Sequence, residues 1–217
     1  MVSVPSHPNG SPGWNQAKKS RAWPMGLSAT SLASLANDPA SKTYAEALIA
    51  QSADDVGLAI NQLVGAGADY LLVPNVPDLS LVPEVLAYEA AATGAADLAR
   101  ELTVLFNDLV DAELADIDAE ILRLDTFTFL QEFVADAALQ GINATQPCFT
   151  GFVGVPGTAC DNPEDFVFFD IIHPTAATHE VLGRLALQAV PLPAPMLLMV
   201  PALVALIGFR RNAAHTA

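Results

Sequence analysis

Asp170 and His173 stand three residues apart in Asp170-Ile171-Ile172-His173-Pro174-Thr175, directly after the apolar run Phe166-Val167-Phe168-Phe169. On a turn, that spacing lets a carboxylate reach the imidazole Nδ1 while Nε2 faces outward. A carboxylate so placed fixes the tautomer and stabilises an imidazolium, which is the base-and-orienter part of a nucleophile–base–orienter triad. The other reading is a turn cluster in which Asp170 only caps backbone amides. His179 follows on the next helix and reads as a surface or packing residue. A metal pair with His173 lacks the further ligands such a site needs.

The elements that must position this pair read as alternating helices and strands. Residues 43–64 place Ala47, Ile49, Val56, Ile60, Leu63 and Val64 broadly at helical spacing, and Gly65 and Gly67 stop the helix. Tyr70-Leu71-Leu72-Val73 reads as a buried strand ended by Pro74 and Pro77. Residues 97–115 carry a leucine stripe at Leu98, Leu102, Leu105, Leu109 and Leu114, an amphipathic helix. Residues 120–124 read as a strand, 127–139 as a helix, 166–169 as a strand and 175–189 as a last helix after Pro174. Strands separated by helices predict an α/β fold with a parallel sheet covered on both faces. In such sheets sites form beyond the carboxyl ends of the strands, where Asp170 and His173 fall.

Composition narrows the function classes. The chain has 217 residues, 52% apolar and 15% charged, enough for a packed core. Its net charge is −15, from 24 acids and 9 bases, which disfavours a nucleic-acid partner. The bases cluster near the ends, at Lys18, Lys19, Arg21 and Lys42 and at Arg184, Arg210 and Arg211. Basic ends around an acidic middle suggest targeting signals flanking a soluble domain. Cys148 and Cys160 are the only cysteines. At short loop spacing in an exported domain they read as a disulfide, with two free buried thiols as the alternative.

The C-terminus carries the clearest targeting pattern. Val190-Pro191-Leu192-Pro193-Ala194 precedes Met196–Phe209, fourteen uncharged residues, and then Arg210-Arg211. Fourteen is short of the ~20 residues of an ordinary spanning helix, so the run would span only a thin membrane, with the arginines on the cytoplasmic side. The alternative is a buried C-terminal helix. Order, position and motif resemble the VPLPA variant of the PEP-CTERM sorting signal. That resemblance implies a Gram-negative bacterium, membrane attachment before processing, recognition by an exosortase-type transpeptidase, cleavage near Val190–Ala194 and release to the cell envelope or surface. Residues 1–24 are rich in Pro, Gly, Ser and Asn and read as loop or disorder. A secretory signal starting at Lys18 is interrupted by Ser28, Thr30, Ser31 and Ser34. A gene start upstream of Met1 would reconcile a sorting tail with so weak a leader.

Five segments, in order, resemble the GDSL (SGNH) esterases and lipases, chiefly their thermolabile-haemolysin and phospholipase branch. They are residues 67–79 (Gly67-Ala-Asp-Tyr-Leu-Leu-Val-Pro-Asn-Val-Pro-Asp-Leu79), 106–109 (Phe-Asn-Asp-Leu), 124–127 (Leu-Asp-Thr-Phe), the Cys148 to Cys160 loop, and 168–175. The resemblance implies a flavodoxin-like three-layer α/β/α fold over residues 37–189, between an atypical segment 1–36 and the sorting tail 190–217. It implies hydrolysis of a small ester or lipid with no cofactor and no metal, His173 as base and Asp170 as acid partner. It further implies that Asn37, in Leu35-Ala36-Asn37-Asp38, donates to the oxyanion. The family's glycine before that asparagine is absent, and Asn-Asp-Pro also reads as a plain helix start. No Gly-Asp-Ser-Leu occurs, so the nucleophile block and first strand of the family are missing. The competing expectation is a degenerate, non-catalytic domain displayed on the envelope or in an exopolysaccharide matrix. A missing first strand further predicts an open neighbour beside Tyr70–Val73.

Overall fold

A computed structural model describes residues 38–91, 94–151 and 156–190. The first helix, α1 (Pro39–Gly65), starts where local chemistry permits: the Asp38 carboxylate accepts from the amides of Ala40 and Ser41, and Pro39 fits the first turn. It ends at a turn in which Gly67 takes φ +100°, a conformation that favours glycine. Strand β1 (Tyr70–Pro74) follows. A short 3₁₀ turn (Leu79–Leu81) then leads to α2 (Pro83–Ala91). Helix α3 (Ala95–Leu114) begins after Gly94, and the Glu89 carboxylate takes the amides of Gly94 and Ala96 there. Next come β2 (Glu120–Leu124) and α4 (Thr126–Leu139), the latter capped by Asp125 through the Thr128 amide. The described chain closes with β3 (Asn143–Pro147), β4 (Phe166–Phe168) and α5 (Ala176–Ala189).

The fold is α/β, mostly helix with short parallel strands. The expectation of one continuous parallel sheet is corrected in one respect: the strands form two parallel pairs. β1 and β2 run in register from Tyr70 opposite Glu120 to Pro74 opposite Leu124. β3 and β4 pair with a register shift between Asn143 and Pro147. Pro147 has no N–H to extend that ladder. β3 was not anticipated, because Asn143-Ala144-Thr145-Gln146-Pro147 has no apolar alternation and buries only Ala144. The last strand stops at Phe168, one residue early, because the Phe169 amide turns away to donate to the His173 carbonyl (2.7 Å).

Two apolar cores result. In one, Ala53, Val73, Val110 and Leu114 join α1 and α3 to the inner face of β1, with Val56, Ile60 and Phe106 packed beside them. In the other, Val82, Leu130, Ala137, Ala144, Val167 and Phe168 join the 3₁₀ turn, α4, β3 and β4. Among the described residues β1 pairs only with β2, and Tyr70 is 70% exposed. No described helix is long and apolar enough to cross a membrane. The C-terminal run Met196–Phe209, its basic pair and Pro191–Ala194 of the sorting motif lie outside the described residues. Val190, the first residue of that motif, follows α5 and is exposed.

Candidate active site

The Asp170–His173 loop grows out of β4 and folds straight back on it. Phe168 bridges Pro174 in antiparallel fashion, and the Thr175 amide donates to Val167 (2.9 Å). Thr175 anchors the return. Its hydroxyl donates to the Phe166 carbonyl (2.9 Å), and the same side chain caps α5 through the Thr178 amide. The Thr178 hydroxyl donates to the Val167 carbonyl (2.8 Å). With Val167, Phe168, Thr175 and Thr178 all buried, both ends of the loop are fixed while its tip reaches solvent.

At the tip, His173 Nδ1 lies 2.8 Å from Asp170 Oδ2 and 3.0 Å from Oδ1. Asp170 Oδ1 also accepts from the backbone amides of His173 (2.6 Å) and Ile172 (2.9 Å). The two readings of this segment therefore coexist: the carboxylate caps its own turn and holds the imidazole. The cap of α5 is Thr175, not Asp170. Burial pulls the Asp170 carboxyl upward, but the His173 and Ile172 amides and the His173 ring outweigh it, leaving it below the usual carboxylate value. The His173 side chain is 72% exposed. With Nδ1 engaged by Asp170, Nε2 is left for exchange with a bound molecule. His179 lies exposed on α5 and takes no part.

The second strand end is held by a lattice that sequence reading located without assigning its work. The Asn75 side chain bridges the carboxyl ends of β1 and β2. Its carbonyl accepts from the Thr126 and Phe127 amides (2.7 and 3.0 Å), and its amide donates to Asp125 (3.0 Å). The Thr126 hydroxyl donates to the Asn75 carbonyl oxygen of the backbone. One residue on, the Asn107 side chain reads both backbone groups of Val76, at 2.8 and 2.9 Å. The fully buried Asp78 accepts from Gln131 (2.7 Å) and pairs with Arg100 (2.8 Å), tying the 3₁₀ turn to α3 and α4. The signal available was Asn and Asp directly after apolar strands, where backbone groups lose their ladder partners. These residues position the strand ends and the 3₁₀ turn.

The disulfide between Cys148 and Cys160 is formed. Its loop runs alongside the exit of β4: the Cys148 amide donates to Phe168 (3.0 Å), and Phe149 stacks on Phe169 with ring centroids 5.8 Å apart. The staple thus braces the strand that delivers Asp170. A disulfide is compatible with an extracellular location. Asn37 lies outside the described residues. Its neighbours Asp38 and Pro39 form the helix start described above.

Two hollows flank the loop. Ile171 borders one of about 500 Å³, beside Glu84, Tyr88, Gln146 and Pro147. Ile172 borders the other, about 590 Å³ and almost wholly apolar, between α1, α2 and α3. The Glu84 amide, at the start of α2, donates to the Ile171 carbonyl (2.9 Å) and pins the loop between them.

No protein-family model matches the chain. It is 30% identical over 173 residues, 75% of its length, to an uncharacterized protein in the trpE-trpG intergenic region of Pseudomonas putida. It is 31% identical over 96 residues to the GDSL esterase/lipase At2g31540 of Arabidopsis thaliana, and 30% identical over 95 residues to At2g31550 of the same plant, 38% of the chain in each case. The chain spans about a quarter of the length of these relatives, 27%, 27% and 26% respectively. What the chain shares with GDSL esterase/lipases is thus a partial similarity, carried by fewer than half of its residues.

Proposed function

We propose that this chain carries the acid–base pair of a GDSL-type carboxylic-ester hydrolase, built on a flavodoxin-like α/β/α domain. The observation that carries the reading is the Asp170 carboxylate on His173 Nδ1, with the ring exposed at the carboxyl end of β4. In the reaction, a hydroxyl nucleophile attacks the acyl carbon of an ester, and His173 Nε2 takes its proton. Asp170 holds the ring and stabilises the imidazolium. The Asn37 amide donates to the oxygen on which negative charge develops. Collapse of that intermediate expels the alcohol, which takes the proton back from His173. Water, activated by the same base, then frees the acid.

Similarity to plant GDSL esterase/lipases supports the family reading. The disulfide is consistent with export, and the Val190-Pro191-Leu192-Pro193-Ala194 tail supports sorting to the envelope by an exosortase-type enzyme after transient membrane attachment. A second reading rests on a specific observation: no Gly-Asp-Ser-Leu stands in the sequence. In that reading the domain is a degenerate hydrolase kept on the envelope for binding. Hydrolysis of p-nitrophenyl butyrate by the chain and by its His173→Ala variant separates the two. Turnover that falls by about 10²-fold or more in the variant places a nucleophile in this chain and supports catalysis. Background rates in both support a truncated or degenerate hydrolase domain.

A further inference from the structure

The apolar hollow beside Ile172 is bounded on one side by the first turns of α1, through Ser41, Lys42, Ala45 and Ile49, and on the other by α3, through Leu98 and Leu102. It is not furnished for a charged ligand. Among the described residues its one lining cation, Lys42, is paired with Glu101 at 2.6 Å, and the lining carboxylate of Glu84 would repel an anionic lipid. Its occupant must therefore be apolar and uncharged.

The chain itself supplies such matter at the right place. The 37 residues before Asp38 join α1 at the very turns that wall the hollow. The nearest of them, Ala22-Trp23-Pro24-Met25-Gly26-Leu27 through Leu32-Ala33-Ser34-Leu35-Ala36, hold no charge. Trp23 stands fifteen positions before Asp38, an extended reach of about 50 Å. Charge favours the same placement. All 24 acids lie from Asp38 to Glu180, with Lys42, Arg100 and Arg123 as the only lysines and arginines there, whereas residues 1–37 hold Lys18, Lys19 and Arg21 and no acid. The C-terminal run Met196–Phe209 is also apolar, but it leaves from the end of α5, which contributes nothing to the hollow.

We propose that residues 22–36 dock into this hollow as its resident apolar cover, next to the Asp170–His173 loop. The placement is independent of whether the chain hydrolyses esters.

The chain's only tryptophans, Trp14 and Trp23, both precede Asp38, so the segment carries its own fluorescent reporter. In the full-length Trp14→Phe chain, Trp23 should emit to the blue of the urea-unfolded chain. Its quenching by acrylamide should be about threefold weaker than in the unfolded chain, as expected of an indole packed on apolar surface. Ala45→Glu puts a carboxylate into the wall without lowering helix propensity much and should return both readouts to the unfolded values. Leu35→Asp changes only the segment, and should do the same while opening the hollow to the dye ANS. Circular dichroism checks that each variant stays folded. Trp23 as accessible in the folded chain as in urea overturns the proposal. So does shielding that neither variant removes, or shielding that grows with protein concentration and so comes from a second copy. Exclusion of ANS while Trp23 is freely quenched also overturns it, since another occupant such as Met196–Phe209 would then fill the hollow.

Discussion

The two cores of this molecule are finished to different degrees. Around β3 and β4, Val167 and Phe168 are fully buried, and the Thr175 and Thr178 hydroxyls donate to the Phe166 and Val167 carbonyls. Around β1, Leu71 and Val73 face α1 and α3, while Tyr70 and Leu72 on the other face are 70% and 37% exposed. Helix α1 shows the same incompleteness. Its buried residues are Ala53 and Gly57, and Tyr44, Leu48, Leu58 and Leu63 face outward. The acid–base pair rests on the finished side. The open side is where a further layer would have to pack.

This contrast predicts a gradient of mutational cost. Phe168→Ala empties a fully enclosed position and should cost about 3–5 kcal/mol in urea unfolding. A cost near zero would mean that the second core is not packed as described. Removing the Cys148–Cys160 bridge by Cys148→Ser with Cys160→Ser releases a loop whose closure is worth about 3 kcal/mol in the chain-entropy model. Because the loop braces β4, hydrogen exchange at the Phe169 amide should rise with the loss of stability. Exchange unchanged there would detach the staple from the site.

Acid acts next. Asp170 and Asp125 both sit below the ordinary carboxylate value. In each, burial pulls upward and is outweighed by hydrogen bonds, from the His173 and Ile172 amides for Asp170 and from Thr128 and Asn75 for Asp125. A depressed native value means stability that is fully present above the unfolded value, about 3.9, and is lost as pH falls through the native one. Loosening of the 169–174 turn should therefore begin only below about pH 4 and be reduced in Asp170→Asn. Loosening between pH 5 and 7 would point to another group. The smallest effect belongs to the open side. Tyr70→Thr should change stability by no more than about 0.5 kcal/mol, since the ring leaves little packing behind. A cost of several kcal/mol would show that the β1 face is covered in solution.

Much of this was legible beforehand, for local reasons. β2 reads at residues 120–124, as observed, because its apolar run is bounded by polar loops, and α4 differs by one residue at its start. The Asp170–His173 contact follows from spacing because a three-residue turn leaves the two side chains few other places to go. β3 was not legible, since its pairing with β4 is set by tertiary context rather than by pattern. The start of helix α2 is signalled locally by Pro83 then Glu84 before Val85-Leu86-Ala87, a pattern too short to stand out by periodicity. The division into two strand pairs depends on distant chain segments, which periodicity does not encode. The work of Asn75, Asn107 and Asp78 was hidden for the same reason: each bonds across 31 residues or more, or, in Asp78, to Gln131 53 residues on.

The central claim is that Asp170 orients His173 as a base with Nε2 free, and ¹⁵N NMR of the imidazole in the full chain tests it directly. At a pH where the ring is neutral, the account predicts the Nδ1–H tautomer, with its proton protected by the Asp170 bond. It predicts inversion to Nε2–H in Asp170→Asn, whose amide can donate to Nδ1. A ring that averages both tautomers in the unaltered chain, or that is indifferent to Asp170→Asn, would contradict it.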